Sequence, residues 1–245
     1  MRYFMHLSYR GEGFHGWQVQ PGTVTVQGCI EDALARILRT PVPIVGAGRT
    51  DTGVNARVMV AHLDLPDDFV PDHRFMLSLN SLCGRNIAIH RLEPVTADAH
   101  ARFDATERTY RYFAHTAKDP FVGNLSWFAG PNLDFEAMNR AAALIVGRRD
   151  FTSFSKLHTD VKTNICDLRR ATWVRTDDTH WYFEITADRF LRNMVRAVVG
   201  TLVEVGRHHI APEGILDIVH AMDRCAAGTS MPAPPLFLWD IRYPY

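Results

Sequence analysis

The chain has 245 residues, of which 47% are hydrophobic and 22% are charged, which excludes collagen-like, low-complexity and wholly disordered proteins. Basic and acidic residues both number 27, so bulk charge gives no reason to expect a nucleic-acid or membrane partner. Only three of the basic residues are lysines and 24 are arginines, an excess that either phosphate-binding guanidinium groups or genomic base composition explains.

The first hundred residues predict alternating strands and helices. The expected elements are a strand over 2–9, a helix capped by Thr25 and ending near Leu38, a strand from Val42, a strand over 58–65, a helix over 71–82 and a strand over 87–92. Residues 46–54 between two of these strands are polar and rich in glycine, which predicts a turn. The pattern loosens around 97–104, and we place a domain boundary there.

The second half of the chain shows hairpin signals and amphipathic helices. The expected elements are a strand over 109–115, a helix over 135–146, two strands within 171–186 around Asp177-Asp178, a helix over 188–205, a helix over 212–225 and a strand over 237–243. The irregular alternation predicts an α+β fold with mainly antiparallel sheets. We expect an N-terminal domain over 1–103 and a C-terminal domain over 104–245.

Four scattered cysteines, none in a CxxC pair, argue against zinc ribbons and thioredoxin-type chemistry. The histidines show no metal-ligand spacing either, so no metal is expected. The N-terminus leads directly into strand-like sequence, and the apolar stretches are too short to span a bilayer. These observations predict a cytoplasmic protein.

Asp51 is the first candidate site residue, in the turn over 46–54. Asp51-Thr52-Gly53 spells the aspartic-protease tripeptide, but such enzymes need two aspartates, which only a dimer of this chain would supply. The turn lacks the further glycine or lysine of a phosphate-binding loop. An aspartate that bonds the backbone of its own turn is the plain alternative.

Tyr110 and Tyr112 are the second candidates, since a strand places them on one face and Arg111 on the other. Two aromatic rings on one strand face usually belong to a core. Such rings also stack on exposed nucleobases, so both interpretations stay open.

Three arginines form the third candidate. On a helix from Asp188, Arg189, Arg192 and Arg196 fall on the side opposite an apolar stripe. Periodicity alone does not distinguish a solvated face from a functional one.

Six segments stand in a fixed order over nearly the whole chain. They are 9–20 with 25–27 (YRGEGFHGWQVQ and TVQ), 48–56 (GRTDTGVNA), 100–105 with 110–112 (HARFDA and YRY), 150–154 (DFTSF), 190–196 (FLRNMVR) and 236–244 (LFL to YP). Together they resemble the tRNA pseudouridine synthase A family, with its patterns YDGxxFxGWQxQ…TVQ, GRTDxGVHA, HARFxA…YRY, DFxSF, FxxxMVR and GLYLxxVxYP. Each motif alone is weak, but six in order are specific.

The chain departs from these patterns at three positions. Arg10 stands where the family usually has aspartate, Asn55 where it has histidine, and Pro235 where glycine precedes the last strand. We expect Asn55 to be structural, since asparagine can bond the neighbouring backbone.

The resemblance implies a pseudouridine-synthase-type α+β core around a central cleft. It implies isomerisation of uridine to pseudouridine at positions 38, 39 and 40 in the anticodon stem-loop of tRNA, by base flipping and aspartate nucleophilic catalysis. It also implies a homodimer with neither metal nor organic cofactor.

The same resemblance implies a role for four residues. Asp51 is the nucleophile, at uracil C6 or at ribose C1′. Tyr110 stacks on the target base, and Arg196 pairs with Asp51 and stabilises its ionised form. Arg49 enters the base stack and contacts phosphate. A dimeric aspartic hydrolase and a non-catalytic RNA-binding module are the competing classes.

Overall fold

The computed structural model describes residues 1–156 and 163–245. Their elements in chain order are β1 (Arg2–Tyr9), α1 (Val26–Leu38), β2 (Val45–Gly46), β3 (Asn55–Asp64), α2 (His73–Cys83), β4 (Ile87–Pro94), β5 (Glu107–His115), β6 (Trp127–Phe128), α3 (Phe135–Leu144), β7 (Gly147–Asp150), β8 (Ile165–Arg175), β9 (His180–Ala187), α4 (Met194–Gly206), α5 (Gly214–Ala221) and β10 (Leu236–Arg242). The chain divides into two compact units, one over 1–106 with 238–245 and one over 107–237. Within the described ranges, no helix is long and apolar enough to cross a membrane.

The first unit is built on a sheet in the order β4-β1-β3-β10, with β2 beside β3. β1 runs antiparallel to β3 and β4, and β2 runs antiparallel to β3. Helix α1 begins as predicted, because the Thr25 hydroxyl accepts a hydrogen bond from the Gly28 N–H at 3.2 Å. Its apolar side is buried through Val26, Ile30, Ala33 and Leu34.

The second unit is built on a sheet in the order β5-β9-β8-β7. All three of these pairings are antiparallel, and the short β6 runs parallel to β5. Helix α3 packs against β8 and α4. The predicted α+β fold with mainly antiparallel sheets is therefore confirmed, although β6 and β7 were not foreseen.

The expected helix over 188–205 begins six residues late, at Met194. The Asp188 carboxylate accepts hydrogen bonds from the N–H groups of Asp167 and Arg189, which ties this segment to β8. Asn193 then adopts a left-handed conformation with φ of 68°, which asparagine tolerates better than most residues. The prediction that Arg189, Arg192 and Arg196 share one helical face is wrong, since only Arg196 lies in α4.

The C-terminal residues 238–245 belong to the first unit, whereas the sequence division placed them with the second half. The Tyr243 ring lies 5.1 Å from that of Phe4 in β1, and the Tyr243 hydroxyl donates to the Ala101 carbonyl at 2.6 Å. A terminal strand carries no local signal for the sheet it joins. The continuous part of the first unit ends at residue 106.

Candidate active site

Asp51 lies in the connection between β2 and β3. These strands pair antiparallel, with Val45 opposite His62. The Val54 N–H donates to the Asp51 carbonyl at 3.1 Å and closes a turn in which Gly53 has φ of 78°. Asp51 is half-buried, and Arg49 is exposed on the same connection.

Residues of the N-terminal motif hold both sides of this turn. The Tyr9 hydroxyl lies 2.7 Å from the Thr50 hydroxyl, and the Trp17 N–H donates to the Thr50 carbonyl at 3.2 Å. On the other side, the Gly11 N–H donates to the Asn55 side-chain oxygen at 2.8 Å. Asp51 therefore lies between Thr50 and Asn55, which are both held by hydrogen bonds to the N-terminal motif.

Two glycines of that motif allow the close approach. A Cβ at Gly11 would lie 2.4 Å from the Val54 carbonyl oxygen, and one at Gly16 would lie 2.5 Å from that of Thr50. Both distances are far shorter than a van der Waals contact, and the atoms that a side chain would meet belong to the backbone of the turn. Any residue other than glycine would therefore clash at these positions. Gly16 also has φ of 86°, which further favours glycine.

Two of the three departures from the family pattern, Asn55 and Arg10, have partners in or beside this framework. Asn55 is 1% exposed, and its bond to the Gly11 backbone confirms the expectation that it is structural. Arg10 forms an exposed ion pair with Glu12 at 2.8 Å, and its N–H donates to the Asn86 carbonyl.

Tyr110 and Tyr112 of β5 share a face but differ in exposure. The Tyr110 ring is half-buried and meets the Phe190 ring edge to face, with centroids 5.1 Å apart. Tyr112 is fully buried, and its hydroxyl has no hydrogen-bond partner in the described part of the chain. Burial raises the Tyr112 pKa. Tyr112 is thus a core residue, while Tyr110 retains an accessible surface.

Arg196 lies in the first turn of α4 and is half-buried. Its Nε donates to the Met231 carbonyl at 2.6 Å, and the Met231 N–H donates to the Arg196 carbonyl. The positive charge of Arg196 opposes the upward shift of the Tyr112 pKa. Arg196 is thus fixed to the segment before β10 by a pair of bonds with Met231.

The predicted site residues are divided between the two units, with Asp51 and Arg49 in the first and Tyr110 and Arg196 in the second. Over residues 1–156 and 163–245, no group of three histidine, cysteine, aspartate or glutamate side chains is arranged to hold a metal ion.

Comparison with known proteins finds relatives that match this chain over nearly its whole length. The chain is 54% identical to a tRNA pseudouridine synthase A of Parabacteroides distasonis over 99% of its own length and 96% of the relative. The chain belongs to the tRNA pseudouridine synthase A family. It is also 51% identical to the Bacteroides thetaiotaomicron protein of that name, and 38% identical to the Bacillus subtilis one, each over 99% of this chain and over 91% and 99% of the relatives.

A family profile agrees with this membership. The profile of a family described as tRNA pseudouridine synthase matches residues 141–244. A solved Cbf5-Nop10-Gar1 complex is similar over 82% of the chain and 54% of its own, at 11% identity and a TM-score of 0.30, which is too slight a likeness to add anything.

The family motifs contain the residues that support the Asp51 turn in this tRNA pseudouridine synthase A family member, but the sequence does not assign them that role. Neither the bond between the Tyr9 and Thr50 hydroxyls nor the one from the Trp17 backbone N–H to the Thr50 carbonyl was predicted. The three glycines within 11–16 were the available signal, because such spacing marks a backbone that another segment approaches closely.

Proposed function

We propose that this protein is a tRNA pseudouridine synthase that isomerises uridine at positions 38, 39 and 40 of the anticodon stem-loop. The observation that carries the proposal is identity of up to 54% over 99% of the chain to proteins named tRNA pseudouridine synthase A. The fixed turn around Asp51 supports it, because a nucleophile must be held rigidly to attack a defined atom.

The reaction needs neither redox nor phosphate chemistry. The bond from uracil N1 to ribose C1′ breaks, a bond from C5 to C1′ forms, C5 loses a proton, and N1 gains one. A base stacked in a stem must first leave the helix, at a cost of a few kcal/mol. Asp51 then acts as the nucleophile, on uracil C6 or on ribose C1′.

Three further side chains complete the proposed site. Tyr110 stacks on the flipped base, which suits its partly exposed ring on β5. Arg196 pairs with Asp51 and stabilises its carboxylate in a desolvated site, as the family resemblance implies. Arg49 enters the base stack and contacts phosphate, and its exposure two residues before Asp51 supports this role.

We also propose that the enzyme acts in the cytoplasm as a homodimer, in keeping with the family. Static light scattering tests the oligomeric state, with twice the chain mass as the expected result. A monomeric mass at assay concentration would contradict the dimer without affecting the proposed reaction.

Replacement of the proposed nucleophile tests the function. Asp51→Ala should abolish tritium release from C5-labelled uridine in tRNA, while tRNA affinity changes little, because phosphate contacts dominate binding. Asp68→Ala, at an exposed aspartate of the same unit, is the matched control and should keep full activity. Asp51→Ala activity above about a thousandth of the parent rate would contradict covalent catalysis by Asp51.

The same assay separates the competing classes. A dimeric aspartic hydrolase would cleave peptides and ignore RNA. A non-catalytic RNA-binding module would bind tRNA without releasing tritium, and its Asp51→Asn variant would function as well as the parent.

A further inference from the structure

Phe103 is 76% exposed in a motif, residues 100–105, to which the proposed reaction assigns no role. Its ring lies 4.2 Å from the His100 ring at an interplanar angle of 30°. The Arg102 guanidinium lies 5.9 Å from the centroid of the Phe103 ring. An isolated exposed ring needs no partner by itself, but this ring packs against a second ring and lies near a cation.

The loop that carries Phe103 is fixed by hydrogen bonds on several sides. The Ala101 N–H donates to His62 Nδ1 at 3.1 Å, and the Ala101 carbonyl accepts from the Tyr243 hydroxyl. The N–H groups of Arg102 and Phe103 both donate to His100 Nδ1, at 3.1 and 3.2 Å. The backbone that carries the ring is therefore held in position before any partner arrives, which lowers the entropic cost of binding.

A second exposed ring borders the same loop. Tyr245 is 68% exposed, and its hydroxyl donates to an Asp104 carboxylate oxygen at 3.0 Å. The same oxygen accepts the His100 N–H at 2.6 Å. A carboxylate at this place disfavours a phosphate group, whereas an uncharged aromatic face suits a nucleobase.

The exposed rings are remote from the Asp51 turn. That turn leads into β3 at Asn55, while the Phe103 loop is bonded to β3 at His62. Seven residues of an antiparallel strand span roughly 24 Å. This separation along β3 favours a base other than the one that Asp51 attacks.

We propose that Phe103, supported by His100, is a stacking platform for an unpaired nucleobase of the tRNA other than the target uridine. This inference rests on the proposed function and adds a second contact between the protein and the tRNA. RNA-binding proteins commonly hold unpaired bases on aromatic side chains. The platform strengthens tRNA binding and takes no part in the chemical step.

Substitutions at Phe103 test the platform through tRNA affinity, measured by filter binding, and through the single-turnover rate at saturating tRNA. Phe103→Ala and Phe103→Leu should each raise Kd about tenfold, within the range for loss of one stacked base. Phe103→Trp should stay within about twofold, because it keeps an aromatic face. All three should keep the saturated rate and the salt dependence of Kd, since stacking releases no counterions.

Phe121→Ala is the matched control, because Phe121 is 94% exposed in the other unit and should not matter. Parent-like affinity of Phe103→Ala, or of Phe103→Leu, would overturn the platform. A loss of oligomer mass in Phe103→Ala would also overturn it, since the ring would then contact a second copy of the chain. A parent protein that binds tRNA but releases no tritium would refute the proposed function instead, while the affinities still decide on the platform.

Discussion

The Asn55 side chain makes one of the bonds that connect the N-terminal motif to the Asp51 turn. Its amide oxygen accepts the Gly11 N–H inside the protein, where water cannot replace the bond. A buried donor left without an acceptor costs the full penalty of its desolvation. The residue that differs from the usual family histidine therefore performs a structural task that an acceptor nitrogen could also perform.

Asn55→Ala should lower the free energy of unfolding by about 1–3 kcal/mol and reduce activity, because the Gly11 N–H loses its acceptor. Asn55→His should cost less, since a ring nitrogen can accept the same bond. Urea denaturation and tritium release measure the two effects. Asn124→Ala, at an exposed asparagine, is the control. Equal stability of the alanine variant and the parent would show that the bond contributes nothing.

Tyr110 and Tyr112 lie on the same face of β5 but differ in the exposed fraction of their side chains. Alternation along β5 predicts their common face, but exposure decides that Tyr112 packs in the core while Tyr110 stays accessible. The Tyr112 hydroxyl is buried without a hydrogen-bond partner among the described residues, so it contributes no stabilising bond.

Tyr110→Phe and Tyr110→Ala should separate stacking from proton transfer. Phenylalanine keeps a stacking contact of about 1–3 kcal/mol, and alanine loses it. If the hydroxyl takes part in proton transfer, Tyr110→Phe should bind tRNA normally yet turn over slowly in single-turnover experiments. Tyr112→Phe is the control and should keep both activity and stability. Full activity of both Tyr110 variants would return this residue to a packing role.

At the scale of elements, the start of α4 separates the arginines of the FLRNMVR segment. Asn193 breaks the helical path, so Arg192 lies outside α4 and is exposed, whereas Arg196 lies inside it and bonds Met231. The hydrophobic stripe that predicts the helix continues through residue 191, which is why periodicity alone extends it too far.

Arg196→Met should stay folded but lose most activity, because methionine retains much of the apolar stem while removing the proposed partner of Asp51. Arg192→Met, only four residues earlier, should weaken tRNA binding at most and reduce its salt slope by about one unit. Single-turnover rates and circular dichroism of both variants are the measurements. Equal and mild losses in the two would rule out the pairing of Arg196 with Asp51.

At the scale of the whole molecule, the last strand returns to the unit in which the chain starts. Leu238 and Ile241 of β10 are buried, and Tyr243 contacts both Phe4 and the Ala101 carbonyl. The first unit therefore needs the C-terminal residues 238–245 to be complete. This arrangement links the stability of the Asp51 unit to residues almost two hundred positions away.

A chain that stops after Phe237 should destabilise the first unit by roughly 3–6 kcal/mol, the value of two buried aliphatic side chains. Backbone amides of β1 and β3 should then exchange hydrogen faster. Removal of Pro244 and Tyr245 alone leaves β10 in place and is the control, with a much smaller effect expected. Unchanged protection of β3 in the shorter chain would show that β10 does not stabilise this unit.

The α+β class, most strands and helices, and the family follow from the sequence alone, because periodicity, caps and ordered motifs are local properties of a chain. The sequence also singled out Asp51, Tyr110 and Arg196 by motif. Only tertiary structure decided that Gly11 and Gly16 approach the Asp51 turn, that Tyr112 is buried, that Asn193 delays α4 and that β10 joins the first unit. These features depend on contacts between residues far apart in sequence, and such contacts leave no periodic signal in the segments that make them.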